Sequence, residues 1–304
     1  PPILYVGITN GYISGGNLGT NLNATSNIKK FPFAASTTAT LVGQLVLPAG
    51  YAQGGASSKE NGYTTGGNGP AIGRIEKFTF AADADATNVG LLTVSVYSGS
   101  GTNSGTFGYS TGGYSTPYGF SSLIQKYPFA TDTDAAVSGN LLSGLYRTSN
   151  NASVTYGYLA SGYNNYNRIE KWPFTSDGNT TDVGDLTVGR QDATGISSEE
   201  HGYILGGTWG WQGAYFNVVD RYPFATDGNS TDAGDLPLAK IRMVGSSSAT
   251  HGYAIGGTRE GNGYPGDMVA SYESITRFAY AATVNVAEVG SSTGGHLQAN
   301  GHQI

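Results

Sequence analysis

Residues 201–207 read His201-Gly202-Tyr203-Ile204-Leu205-Gly206-Gly207, and residues 251–257 read His251-Gly252-Tyr253-Ala254-Ile255-Gly256-Gly257. The same Gly-Tyr pair, followed by small residues and Gly-Gly, begins at Gly11, Gly62, Gly108 and Gly157. The copy at Gly157 has Ser161-Gly162 in place of Gly-Gly. The six copies lie 51, 46, 49, 45 and 50 residues apart. Each is followed by an aliphatic residue, a variable residue, a base and an aromatic-Pro-Phe group or a relative of it, from Ile28–Phe33 to Ile275–Tyr280. From the last aromatic of this group to a glycine is ten residues in every copy, as from Phe174 to Gly184. Apart from one extra residue between Gly43 and Gly62, all length variation sits between Gly-Gly and the aliphatic residue, where 6 to 17 residues intervene. A fixed scaffold with one variable loop per unit is how repeat folds carry binding sites.

A period of 45 to 51 residues holds four strands of about 5–6 residues with their turns, the size of a propeller blade. The expected fold is all-β: one six-bladed propeller of four-stranded blades, filling residues 1–304 as a single domain. Expected blade limits are 1–47, 48–94, 95–143, 144–188, 189–238 and 239–290, with a non-repeat tail at 291–304. One terminus is expected to complete a blade or cover an edge, because an open strand edge invites aggregation. The last aromatics of the third strands, Phe33, Phe80, Phe129, Phe174, Phe224 and Tyr280, are expected to be buried equivalents.

Composition supports this. Glycine supplies 48 of 304 residues and charged residues 12%, against about 7% and about 25% in ordinary proteins. A hydrophobic fraction of 38% is too high for a disordered chain. No apolar run reaches the 18 or so residues of a membrane helix, so no membrane insertion is expected. With 15 Lys and Arg and a net charge of -6, no nucleic-acid partner is expected. The opening Pro1-Pro2-Ile3-Leu4 has no signal-peptide pattern, and the chain reads as mature or trimmed.

The stretch Pro237 to Arg242, followed by His251 to Gly257, resembles the kelch pattern of a Pro- and Arg-containing first strand and an aromatic-aliphatic-Gly-Gly second strand. Tyr222-Pro223 resembles the kelch Tyr-Asp-Pro, while Gly234 and Leu236 stand where kelch repeats carry tryptophan. The chain is also similar, in its cysteine-free, Gly/Thr/Tyr-rich texture and its Asp-Gly-Asn-x-Thr-Asp turns, to kelch-like virion or tail-fibre proteins of marine bacteriophages. That resemblance implies a non-enzymatic structural or binding role in a virion or outside the cell. The implied partners are other virion proteins, a host-surface glycan or protein, or further copies of the chain. The alternative is a secreted or surface carbohydrate-binding propeller.

No cofactor is expected. Kelch oxidases use a tyrosine crosslinked to cysteine beside copper, and this chain has no cysteine. No nucleophile, base and orienting group share one repeat position, so no catalytic residue is assigned. His201 and His251 read as strand-end residues, and His296 and His302 as part of the tail. No arginine cluster is evident in the sequence. Asp177, Asn179 and Asp182 could ligate calcium, but they also suit a plain turn. The recurring bases Lys30, Lys77, Lys126, Lys171, Arg221 and Arg277 read as structural, pairing with the next blade. The binding site is expected on the variable loops, through Trp209, Trp211, Tyr215 and Phe216, Tyr114, Tyr118 and Phe120, Tyr163 and Tyr166, and Tyr264. Exposed aromatics among Asn, Gly and Ser suit sugar stacking or protein docking.

Overall fold

The structure is a computed structural model, and it describes residues 7–18, 23–34, 38–51, 54–67, 73–116, 118–164, 166–210, 214–260, 268–280 and 284–303. The expected fold is the observed one. Six blades of four antiparallel strands stand around an axis, the fifth extended by a short parallel strand, Val284–Asn285, and the described residues include no helix.

The fifth unit shows how a blade is made. Its inner strand Thr194–Ser197 pairs with His201–Leu205, that strand with Val218–Pro223, and the third with the outer strand Thr231–Asp235. The third strand carries a register shift against the outer strand in all six blades, directly after its aliphatic residue. The shift buries two successive residues, such as Ile169 and Glu170. Strict alternation, which would place Ile28 and Lys30 on one face, therefore fails at this point.

The Gly-Tyr pair follows from packing across the strands. Each glycine lies directly opposite the third-strand aromatic: Gly11 opposite Phe31, Gly62 Phe78, Gly108 Tyr127, Gly157 Trp172, Gly202 Tyr222 and Gly252 Phe278. The ring lies over the glycine so closely that a Cβ there would collide with it in all six blades. These six aromatics are all buried. Two residues on, Phe33 and Phe80 are also buried, but Phe129, Phe174, Phe224 and Tyr280 are only half-buried. The expected burial maximum is thus displaced by one strand repeat toward the glycine.

The tyrosine of each pair reaches the following blade. Tyr12 packs on Phe80, Tyr63 on Phe129, Tyr109 on Phe174, Tyr158 on Phe224 and Tyr203 on Tyr280, with ring centroids 4.7–5.4 Å apart. Tyr253 of the last blade stacks on Phe33 of the first at 4.7 Å. Each of the six buried apolar clusters lies between two neighbouring blades. The core is therefore a ring of interfaces, and a blade alone would leave both faces uncovered. Replacing Trp172, which is 1% exposed, by alanine is expected to cost ~3–5 kcal/mol in urea unfolding. A loss below ~1 kcal/mol would show that the site collapses around the gap.

Polar contacts set the angle between blades. Lys30 pairs with Asp83 at 3.0 Å, Lys77 with Asp132 at 2.6 Å, Lys126 with Asp177, and Lys171 with Asp227 at 2.6 Å, each reaching a turn of the next blade. The structural reading of these four bases holds. The neighbouring turn residue Asp85, Asp134, Asn179 or Asn229 accepts the backbone N–H of Gln44, Leu91, Asn140 or Asp185. The glycine ten residues after the aromatic lies against the same turn. A Cβ at Gly139 or Gly184 would strike the carbonyl of Gly178 or Gly228, which accounts for the invariant spacing. The residue between aliphatic and base also crosses a blade interface: Glu76, Gln125, Glu170 and Asp220 accept the N–H of Val46, Val94, Leu142 and Thr187.

The ring closes through the far end of the chain. Asn300–Gln303 is the inner strand of the first blade, paired with Asn10–Ser14. The repeat pattern alone places residues 291–304, and His302 with them, outside the blades. Instead His302 is fully buried, its Nδ1–H donating to the Ala56 carbonyl at 3.0 Å and its Nε2 accepting from the Ser14 hydroxyl at 2.7 Å. Of the opening stretch Ile3 to Ile8, only Gly7 and Ile8 are described. Gly7 makes a parallel bridge to Ser248.

Candidate binding face

The Gly-Gly pair decides which elements share a face. The first residue of the pair closes the variable loop, as Gly112 N–H donates to the Leu123 carbonyl and Gly206 N–H to that of Val218. The second donates to the connection leading into the next inner strand: Gly16 to Ala49, Gly113 to Leu145, Gly162 to Arg190, Gly207 to Lys240 and Gly257 to His296. Backbone angles of φ +62° and +102° at Gly206 and Gly207 suit glycine there. Every variable loop is thus pinned at its base beside the connection between blades. Length can change beyond the pin without disturbing the ring.

The structure brings together part of the expected aromatic set. Phe120 stacks on Tyr146 at 4.8 Å with 13° between ring planes, and Tyr163 lies 4.9 Å from Tyr146 and 5.3 Å from Phe120. Tyr114 meets Phe120, Tyr146 and Tyr97, and Tyr97 meets Tyr51. These loop residues are therefore partly a packed cluster of their own. Phe120 still leaves 44% of its surface in solvent, Tyr118 82% and Trp209 57%. Among the described residues, no ring contact joins Trp209 to the cluster. Tyr215 and Phe216 are half-buried beside it, Tyr215 bridging Thr208 and the Phe216 N–H donating to Gly207. Tyr166 is half-buried and donates its hydroxyl to Glu170, with burial and that carboxylate holding its pKa up. Trp211 and Tyr264 lie outside the described residues.

Sequence reasoning missed Tyr51, Tyr97 and Tyr146, which come from the connections between blades rather than from the variable loops. A second pattern in the same connections also escaped it. Tyr51, Ser98, Arg147, Asp192, Arg242 and Gln298 all have φ between +48° and +58°, one per blade, where side-chain-bearing residues seldom sit. Their backbones link in sequence around the axis: Ser98 N–H donates to Tyr51 O, Arg147 to Ser98, Asp192 to Arg147, Arg242 to Asp192 and Gln298 to Arg242. From Ser98 to Arg242 these residues stand ten before the Gly-Tyr glycine, a register in which the pattern was readable.

This circle is the mouth of the axial channel. Below it, a cavity of about 150 Å³ is lined by Arg147, Asp192, Arg242, Gln298, Asn150 and Asn300, among others. A second of about 90 Å³ continues to the opposite face past Ser57, Asn103, Ser197, Ser247 and Gln303. They meet at a waist of bare backbone. A Cβ on Gly55, Gly195, Gly245 or Gly301 would strike a backbone carbonyl of the preceding blade. The mouth holds one carboxylate between two guanidiniums: Asp192 Oδ2 lies 2.9 Å from Arg147 Nη1 and 3.6 Å from Arg242 Nε. An arginine cluster therefore exists, although none is evident along the sequence.

No protein-family model matches this chain. No curated protein matches it either. The six copies of its own repeat and their geometry therefore carry the architectural assignment.

The three residues considered for calcium serve separate structural bonds. Asp177 pairs with Lys126, Asn179 accepts the Asn140 N–H, and Asp182 accepts that of Gly184. Among the described residues no group of three acidic or histidine side chains converges. Other buried ionisable groups also belong to the scaffold. Arg190, fully buried, pairs with Asp220 at 2.7 Å and donates to the Ile204 carbonyl. His201 and His251 begin their second strands, in agreement with the strand-end reading.

Proposed function

We propose that the protein is a non-enzymatic binding propeller of a phage virion, meeting a host-surface glycan or a neighbouring protein through the face that bears its variable loops. The observation carrying this reading is the division of the molecule at the Gly-Gly pins. Beneath them every spacing is locked by packing between blades. Beyond them the loops differ in length and present Trp209, Tyr118 and Phe120 to solvent. Exposed aromatics are among the residue types that dominate binding energy at interfaces. The virion setting rests on the likeness of the repeat texture to phage-encoded kelch-like chains. The turns at Asp177 and Asp227 are tied to Lys126 and Lys171 on the opposite side and take no part.

A carbohydrate partner is favoured among glycan and protein by the Phe120–Tyr146–Tyr163 group, because stacked rings with one open face suit a sugar. A glycan-array screen with the intact protein should yield binding that falls by ~1–3 kcal/mol per anchor when Trp209 and Tyr118 become alanine, with the melting temperature nearly unchanged. Binding that survives the double substitution would place the site elsewhere. Absence of the protein from purified virions would remove the virion setting but leave the binding face intact.

A further inference from the structure

We propose that the channel mouth is a binding site for a small hydroxylated carboxylate, such as a sugar acid, independent of the exposed loop aromatics. Three observations converge there. First, among the described residues the charged ones lining the upper cavity are Arg147, Asp192 and Arg242, which sum to one positive charge. The chain as a whole carries -6, so the mouth is locally reversed in sign. Both guanidiniums are nearly buried, with side-chain exposures of 9% and 5%. A charge surplus among low-dielectric walls attracts an anion far more strongly than the same surplus on an open surface. Guanidinium groups present planar donor forks that match a carboxylate.

Second, the wall carries polar groups that the protein itself leaves unanswered. The Asn300 amide nitrogen, on a residue 4% exposed, has no hydrogen-bond partner among the described residues, and neither does the Gln298 amide oxygen. A buried donor without an acceptor costs about 1–3 kcal/mol, so these groups call for a polar occupant. Asn300 Nδ2 can donate to a carboxylate oxygen, and Gln298 Oε1 can accept from a hydroxyl. A molecule with both groups answers both needs.

Third, the residues are held ready. Arg147, Asp192, Arg242 and Gln298 occupy left-handed backbone positions linked in the circle of N–H to carbonyl bonds. Holding such residues at φ near +55° costs stability, and the circle fixes the two guanidiniums and the carboxylate relative to one another. The upper cavity of about 150 Å³ exceeds the roughly 30 Å³ a water occupies in the liquid, so it has room for a carboxyl head and its neighbouring carbons.

The test is calorimetric titration of the full chain with sodium glucuronate, with glucose, and with a glucuronate-containing tetrasaccharide. Glucuronate should bind, and glucose at least tenfold more weakly. Arg242→Gln leaves the Arg147–Asp192 pair in place while cancelling the surplus charge, and should weaken glucuronate at least tenfold. Asp192→Asn raises the surplus and should bind no more weakly than the parent. Trp209→Ala should leave glucuronate binding unchanged, which separates this site from the loop face. Equal binding of monosaccharide and tetrasaccharide supports a free acid as ligand, and binding of the tetrasaccharide alone supports an acidic glycan residue. The proposal is overturned if glucose matches glucuronate, if no acid binds, or if a folded Arg242→Gln protein binds as the parent does. Should that variant fail to fold, the comparison of glucuronate with glucose on the parent protein decides alone.

Discussion

A chain ending at Ala299 is expected to lose its cooperative unfolding transition. The four residues Asn300–Gln303 are a whole strand, the innermost of the first blade. Removing them strips the partners from Gly11–Ser14 and breaks bonds to two other blades. His302 donates to Ala56, and Gln303 N–H donates to the Ser57 hydroxyl in the second blade. Ser246 donates to the His302 carbonyl, and Ser247 N–H donates to the Gln303 side chain from the sixth. Each buried polar group left without a partner costs about 1–3 kcal/mol. Several together reach the ~5–15 kcal/mol that hold an entire domain. Thermal melts followed by circular dichroism check this. A truncated protein melting within ~5 °C of the parent would show that the aromatic stacks alone close the ring.

Acid should unfold the protein earlier than its carboxylates require. Burial pushes the pKa of His302 down to about 4, and burial together with the Lys29 charge does the same to His296. The unfolded chain protonates its histidines near pH 6.5. The folded state resists protons that the unfolded state accepts, so this contribution is fully present above about pH 7. It is lost as pH falls from about 6.5 to 4 and changes no further below that. At ~1.4 kcal/mol per unit, a depression of about 2.5 units is worth about 3 kcal/mol for each histidine. Glu76, whose carboxyl burial pushes upward, opposes this in the lower part of the window, while His201 and His251, lowered by burial and by Arg221 and Arg277, add to it. The measurement is urea stability at pH 7 and pH 4.5, in the parent and in His302→Gln, where a large part of the fall should disappear. A parent stability flat over this range would mean that the histidines reach water more easily than the packing allows.

The parts of this molecule readable from sequence are those in which neighbours in space recur at fixed separations along the chain. Ile169 pairs with Gly184 fifteen residues on, and Ile28 with Gly43, Ile75 with Gly90, Ile124 with Gly139 and Ile275 with Gly290 repeat that separation. The recurrence of one separation from blade to blade makes it visible. The closing strand was not readable, because its partner Asn10–Ser14 lies almost the full chain length away and that relation occurs once. Arg147, Asp192 and Arg242 were overlooked for a different reason. Their meeting depends on a shared left-handed turn at the axis, and single residues that differ in charge from blade to blade do not look like a motif. The loop aromatics were half legible. Composition marked Tyr114, Phe120 and Tyr163, but not that they would pack on Tyr146.

The position of the two described chain ends has a consequence for mounting. Gly7 N–H donates to the Ser247 carbonyl, and a Cβ on Gly7 would strike the Gln303 side chain. The ends therefore lie side by side, at the end of the channel away from the arginines. The loops and the channel mouth point away from both described ends. A fluorescent protein fused at either end should leave glucuronate binding untouched, and immobilising the molecule by a terminal tag presents its recognition side to solution.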